Sequence, residues 1–363
     1  MILSDRQNKF RGLILGTAAG DAIGLALEGM SKKKVQRKLK NNGLDHRLIP
    51  LLKTSYSMVS DDTEHTLFVA QSLIAHPDSP SNFKKRLSWC FRWWLISLPA
   101  GVGFATLRAI CRLWLGFLPL SGSGVFSAGN GPAMRAAPIG AFFSDAPHKV
   151  SSYIKVCTQI THTDPKAETG AMAVASIAAW IINEQLANRP DLKTFISFLH
   201  QIENEDEEWK NIVNLMADAL DANCPVSIFA DQMGLSKGIT GYIYHTVPVV
   251  LYAWYQHFGS YKDTVSSVIE CGGDTDTTAA IAGALAGAVT GERGIPGNWI
   301  ANIIEWPRSV GVMIKIADTL EKTSTRKSSG EPVSYFWPGV IPRNLFFLFI
   351  VLIHGFLRLL PPY

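Results

Sequence analysis

Three observations predict an all-α fold. No stretch of any length alternates apolar and polar residues with the period of two that a strand requires. The long apolar runs are rich in alanine and glycine and carry helical spacing. Several of them open on clusters of Ser, Asp and Thr, the residues that cap helix starts. Of the 363 residues, 47% are apolar and 18% charged, which fits a compact, well-buried chain of one large domain or two ordinary ones. The net charge of +4 is small, and no long basic tract interleaves with aromatics, so a nucleic-acid duplex is not an expected partner. The five cysteines (Cys90, Cys111, Cys157, Cys224, Cys271) form no CxxC pair and no zinc spacing. A reducing cytoplasm is the expected compartment, and MILSDRQNKFRG lacks the apolar core of an export signal.

In chain order, FRGLILGTAAGDAIGLALE (10–28) predicts a helix with Gly16, Gly20 and Gly24 on one face, where a second helix can approach closely. Asp21 and Glu28 argue against a membrane span and share a face if the helix persists to 28. SKKKVQRKLKNNG reads as a solvated face. Residues 57–75 predict a helix with Ser60 at the N-cap, Asp61 and Asp62 in the first turn, and Thr63 and Glu64 next. The aromatic helix over 83–98 (Trp89, Phe91, Trp93, Trp94) reads as core, 99–103 as a turn, and 104–118 as a helix. In SGSGVFSAGNGPAMRAAPIGAFF, the backbone at Gly122, Gly124, Gly129 and Gly131 could wrap a phosphate, or form an ordinary flexible loop. It matches no established phosphate motif; Arg135 is a phosphate contact or a surface charge.

THTDPKAETGAMAVASIAAWII is a turn bearing His162 and Asp164 that feeds an alanine-rich helix, where a histidine alone reads as structural. Helices follow over 191–222, with ENEDEE as solvated surface. Gly241, Tyr242 and His245 stand at the mouth of an aromatic helix. In ECGGDTDTTAAIAGALAGAVTG (270–291), a diglycine turn leads to Asp274, Thr275, Asp276, Thr277 and Thr278 at the mouth of a closely packing helix. Taken alone, that cluster is an N-cap. A helix over 308–321 and a polar, flexible linker over 323–332 precede the tail, NLFFLFIVLIHGFLRLLPPY. Interrupted by His354, Gly355 and Arg358, the tail falls short of a span. It predicts a helix docked on the domain or on an oligomer partner, with membrane-surface binding as the alternative. The expected organisation is one domain over 1–322, then a linker and tail helix over 323–363.

The mouths at 60–62 and 274–277 share one design. Brought together they would place at least four carboxylates in a small volume, an arrangement that cations relieve. All donors are hard oxygens, which points to Mg²⁺ or Mn²⁺, and their number to two ions. Such a centre hydrolyses a phosphoryl or a glycosidic bond, and the residues alone leave both open.

LGTAAGDAIGLALE, SDDTEHTLF, GNGPAMRAAPIG, THTDPKAETGA and CGGDTDTTAAIAGALAGA resemble, in this order and over roughly 10–311, the successive motifs of the ADP-ribosylglycohydrolase family. The resemblance implies a compact, orthogonal multi-helix bundle with a binuclear Mg²⁺ or Mn²⁺ centre. It would cleave the bond between ADP-ribose and a modified protein side chain, or act on a related ADP-ribosyl small molecule. By motif, Ser60 (Thr in many relatives), Asp61, Asp62, Asp274, Asp276 and Thr277 would be ligands. Glu28 would approach from a flap, and Glu28, Asp61 or Asp62 would manage protons. Gly129, Asn130, Gly131 and Met134 would line the diphosphate and ribose, His162 the pocket, and Tyr242 the nucleotide flank. Some relatives carry an acid shortly before the GN turn, where Ser127 and Ala128 stand here. The resemblance extends to the lens J1-crystallins, so a non-catalytic or ADP-ribose-binding member is the alternative, and a metal-dependent phosphatase a third reading.

Overall fold

The computed structural model describes residues 4–44, 56–116 and 122–357; the end of the helix expected over 104–118 and Arg358 of the tail lie outside these. Among the described residues the elements are helical, and strand pairing is limited to isolated bridges. From the N-terminus, α1 (Asp5–Gly24) ends in a 3-10 turn (Leu25–Leu27) and is followed by α2 (Lys32–Asn42) and α3 (Asp61–Ala75). Next come the packed pair α4 (Pro80–Ile96) and α5 (Phe104–Trp114), and the short α6 (Gly131–Met134) and α7 (Ala137–Phe142). The middle of the chain builds α8 (Pro147–Gln159), α9 (Pro165–Asn183), α10 (Leu192–Ile202), α11 (Glu207–Asp221) and α12 (Val226–Gln232). The last third holds α13 (Ile243–Gln256), α14 (Tyr261–Ile269), α15 (Thr275–Thr290), α16 (Gly297–Ala301), α17 (Val310–Arg326) and α18 (Val340–Leu357).

The core is organised around α1 and α15, which run antiparallel at backbone contact. A Cβ built on Gly12, Gly16, Gly20 or Gly24 would lie 2.0, 2.2, 2.0 or 2.3 Å from the carbonyl oxygens of Gly287, Gly283, Ala279 and Thr275. No side chain larger than hydrogen fits along that seam. The Tyr261 hydroxyl seals it by donating to the Gly16 carbonyl at 2.7 Å. Around the pair pack α9, α13, α14 and α17. Among the described residues only Asp5–Leu27 is long and apolar enough to cross a membrane, and it forms the buried centre of the fold.

Two sequence expectations change here. Of the aromatics on α4, Phe91 and Trp94 are core while Trp89 and Trp93 are exposed. The polar stretch from 323 is not all linker: α17 continues to Arg326, because Thr323 and Ser324 face inward and Arg6 donates to the Ser324 hydroxyl at 2.8 Å. The boundary expected between 322 and 323 therefore falls inside a helix. Further on, α18 lies against the domain: Asn344 donates to the Ser97 carbonyl at 2.8 Å, Arg343 to the Val59 carbonyl at 2.6 Å, and Phe347 and Ile350 pack with Met58 and Ala100.

Candidate active site

The first acidic cluster sits at the start of α3. Ser60 occupies the N-cap, where its hydroxyl accepts from the Asp62 amide at 3.2 Å and donates to Asp62 Oδ2 at 3.0 Å. Asp21, fully buried in α1, reaches across to this turn. Its carboxylate accepts from the Ser60 amide (2.9 Å), the Thr63 amide (3.1 Å) and the Thr63 hydroxyl (2.5 Å). Thus the acid that interrupts an apolar helix fixes the turn carrying Asp61 and Asp62.

The second cluster is set by the diglycine turn. Gly272 (φ +69°) and Gly273 (φ +83°) are left-handed, and a Cβ on Gly273 would meet the Ile239 carbonyl at 1.9 Å. Amides of Gly273 and Asp274 donate to the carbonyls of Met30 (2.7 Å) and Ile239 (2.9 Å). Asp274 holds the N-cap position of α15, yet its side chain makes no capping bond; it accepts instead from Asn130 Nδ2 at 2.7 Å. The capping is done by Glu28, whose Oε2 accepts from the Thr275 amide at 2.8 Å. Glu28 does not share a helical face with Asp21, because α1 ends at Gly24 and the 3-10 turn swings the chain toward α15. Thr277 joins the clusters, donating to Asp62 Oδ2 at 3.2 Å.

Between them opens a cavity of about 420 Å³. Its walls include Glu28, Asp61, Asp62, Asp274, Asp276 and Thr277, with Gly129, Asn130, Gly131, Met134 and His162 opposite. Ser60 lies behind this surface, and Tyr242 is not in the lining; its hydroxyl donates to Glu208 (2.8 Å) and accepts from Lys166 (3.2 Å). Part of ENEDEE is thereby a hydrogen-bonded support rather than bare solvated surface. The glycine loop is pinned, not flexible: the Val125 amide donates to Thr161, the Thr163 amide to Val125, and the Asn130 amide to Gly241, at 2.9 to 3.0 Å. Both readings of Arg135 fail, since it is buried beneath the loop, donating to the Thr161 hydroxyl at 2.5 Å and lying over the Phe91 ring. Burial, then Arg135, pushes His162 down to about 3, so it faces the cavity neutral. Phe104 and Thr106 also line the mouth, and no motif in the sequence announced them.

Burial comes first and the neighbouring Asp276 carboxylate second in driving Asp61 and Asp62 well above the usual carboxylate range, and the same two causes carry Asp274 to about 7. Asp276 is raised by burial and then by Glu28. Oxygens of Glu28, Asp274 and Asp276 lie within 4.8 Å of one another. Asp62 Oδ1 is buried with no hydrogen-bond partner. Crowded carboxylates, an orphaned oxygen and an all-oxygen donor set fit a hard divalent cation.

A family profile described as ADP-ribosylglycohydrolase matches residues 3–329. The chain is 30% identical over 303 residues to a protein of Archaeoglobus fulgidus whose name assigns no activity, covering 82% of this chain and 92% of that one. It is 25% identical to the ADP-ribosyl-[dinitrogen reductase] glycohydrolase of Rhodospirillum rubrum (80% and 89% covered). It is also 25% identical to the ADP-ribosylhydrolase ARH3 of Gallus gallus (80% and 88% covered). Among solved structures, an ADP-ribosylglycohydrolase-related protein complex matches with a TM-score of 0.62 and 27% identity, over 89% of this chain and 100% of the other.

Proposed function

This chain belongs to the ADP-ribosylglycohydrolase family, and from that premise we propose that it uses two Mg²⁺ or Mn²⁺ ions to cleave the glycosidic bond between ADP-ribose and a modified protein side chain, or a related ADP-ribosyl substrate. The observation that carries the reading is the convergence, in one polar cavity, of five carboxylates from α3, α15 and the turn after α1 with the pinned glycine loop opposite. The names of the Rhodospirillum rubrum and Gallus gallus relatives support the bond class. Five unpaired thiols support a cytoplasmic setting.

Asp61, Asp62, Asp274, Asp276 and Thr277, which line the cavity, are the residues that would hold the ions, with Ser60 behind them orienting Asp62. Bound there, such ions supply Lewis-acid polarisation of ribose oxygens and make a water easier to deprotonate. Hydrolysis then requires a water oxygen to bond the anomeric carbon as the bond to the side-chain nitrogen or oxygen breaks, with one proton moved to the leaving group. Glu28 suits that transfer: burial raises its proton affinity, it faces the cavity, and its bond to the Thr275 amide fixes its orientation. Asp61 and Asp62 are the alternative carriers. Asn130 holds Asp274 in place, and its flanking glycines, on which a Cβ would lie 2.9 and 3.2 Å from the His162 ring, let that ring pack close against the loop.

The whole carboxylate set speaks against a non-catalytic, crystallin-like member, since crowding them without chemistry only destabilises the fold. The test is release of ADP-ribose from arginine-linked and serine-linked ADP-ribosyl protein with Mg²⁺ or Mn²⁺. Release by the wild type, abolished in Asp276→Ala, is expected. No release with either metal, or undiminished release by the variant, overturns the proposal.

A further inference from the structure

Outside the cavity, the most unusual surface is built by α4, α5 and α18. On α18 the inner side is fixed by Arg343, Asn344, Phe347 and Ile350, while Leu345, Phe349, Leu352 and Phe356 form an exposed stripe with helical spacing; Phe349 is 61% exposed. On the α4 and α5 pair, Trp89, Trp93 and Trp114 are exposed, Trp93 by 46%, and pack edge to face with ring centroids 6.3 Å apart. The two surfaces are continuous. Trp93 meets Trp337, just before α18, at 5.5 Å, and the end of α4 is tied to α18 through Ser97 and Asn344.

Charge separates the possible occupants. None of the 30 acidic residues falls within 79–144 or 332–363, whereas 79–144 carries seven basic ones. Lys84, Lys85, Arg108 and Arg112 are exposed, and Arg92 lies over the Trp89 ring at 4.7 Å. The acids packed beneath α18, Glu64 and Glu305, are buried and paired with Arg308 and Arg343. A second copy docking by two-fold symmetry would set this basic surface against itself. Exposed Trp and Phe flanked by exposed Lys and Arg is instead the composition of a protein face lying in the headgroup layer of an anionic bilayer.

We propose that the outer stripe of α18 and the tryptophan surface of α4 and α5 dock this protein on membranes carrying anionic lipid. The helix lies on the bilayer and does not cross it, since Arg343 and Asn344 keep its first turns bonded to the domain. Phe104, 86% exposed at the first position of α5, also borders the cavity mouth, so docking brings that mouth close to the lipid surface. The matching substrate class is an ADP-ribosyl group carried on a membrane-associated protein. That last step rests on the proposed chemistry; the docking does not.

The experiment is flotation of the full chain with phosphatidylcholine vesicles, with or without about 30% phosphatidylglycerol, at about 0.1 M salt. Co-flotation with the anionic vesicles, several-fold above the neutral ones, is expected. Phe349→Ser with Leu352→Ser should reduce it about tenfold or more, and Lys84→Glu with Lys85→Glu several-fold, with circular dichroism and the melting temperature of each variant unchanged. All four positions are exposed and outside the catalytic cavity. No binding to either vesicle, equal binding to both, or a stable dimer in sedimentation that the Phe349 and Leu352 changes dissolve would overturn it. Vesicle binding is read without substrate, so it stands or falls apart from ADP-ribose release.

Discussion

The starts of α3 and α15 look alike in sequence and are held in place by opposite means. At α15, position is set mainly by close packing, the α1 glycines against Gly287, Gly283, Ala279 and Thr275, and a diglycine turn locked on Met30 and Ile239, with the Glu28 carboxylate capping its start. At α3, it is set by buried charge. Asp21 takes three hydrogen bonds from the turn, Glu305 accepts from the Val59 amide at 3.0 Å, and Arg343 binds both Glu305 and the Val59 carbonyl. Glu64, in the first turn of α3, is paired with Arg308 and accepts from Trp94 at 2.5 Å. One acidic cluster is thus anchored mainly by shape. The other depends on buried charges, Asp21 from α1 and Glu305 and Arg343 from more than 240 residues away, and Arg343 lies beyond residue 329, where the family match ends. The helix that carries the proposed membrane stripe also clamps the residue before Ser60.

Arg343→Met removes the buried cation that seats the start of α3. It strands Glu305 in the interior and frees the Val59 carbonyl, so urea unfolding should show a loss of about 3–5 kcal/mol. Arg343→Met with Glu305→Met should recover a substantial part, because no buried charge is then left unpaired. A single-variant loss below about 1 kcal/mol would mean that packing alone seats α3, as it does α15.

Acid titration of the metal-free protein comes next. Asp274 is raised to about 7 and Asp21 to about 6, both mainly by burial. The folded state therefore binds more protons than the unfolded state between the ordinary carboxylate range and neutrality. Stability from these groups is fully present below about pH 4 and is lost as pH rises toward 7, on the order of 3 kcal/mol for each. Calorimetric melting temperature should fall over that interval, and Mg²⁺ or Mn²⁺ should restore it at pH 7. A metal-free melting temperature that rises toward neutrality would show that these buried carboxylates ionise at no cost to the fold.

The neutral seam is tested by Gly20→Ala. Its new methyl would lie 2.0 Å from the Ala279 carbonyl, so α1 and α15 must separate. A loss of about 1–3 kcal/mol is expected from the overpacking, with weaker metal-induced stabilisation because Glu28 and Asp276 are displaced with the helices. Unchanged stability would refute backbone contact as the anchor of α15.

This contrast also explains what was legible in the sequence. Gly16, Gly20 and Gly24 and the run after Asp274 are local patterns, and a stripe of small residues has one structural meaning, so the α1 seam and the two acidic helix starts could be read from one chain. Arg135, Asp21 and Arg343 could not. A charged residue in an apolar stretch is compatible with surface, ligand or buried partner, and which it is depends on a group distant in sequence: Thr161 for Arg135, Ser60 and Thr63 for Asp21, Glu305 for Arg343. The same limit misplaced Glu28, whose partner at 275 pulls it off the helical face that spacing alone implied.

The smallest effect discriminates most finely between a cap and a ligand. Ser60→Ala removes a true cap, the bond to the Asp62 amide, and should cost about 1 kcal/mol of metal-free stability. Asp274→Asn occupies the equivalent N-cap position on α15, but its carboxylate caps nothing, and burial beside Asp276 holds its proton affinity high. Neutralising it relieves that repulsion, so metal-free stability at pH 7 should hold or rise while stabilisation by Mg²⁺ or Mn²⁺ falls. A loss of stability matching that of Ser60→Ala would return Asp274 to the role of an ordinary helix cap. Opposite signs for the two changes would mark it as a carboxylate kept at a structural cost for what it binds.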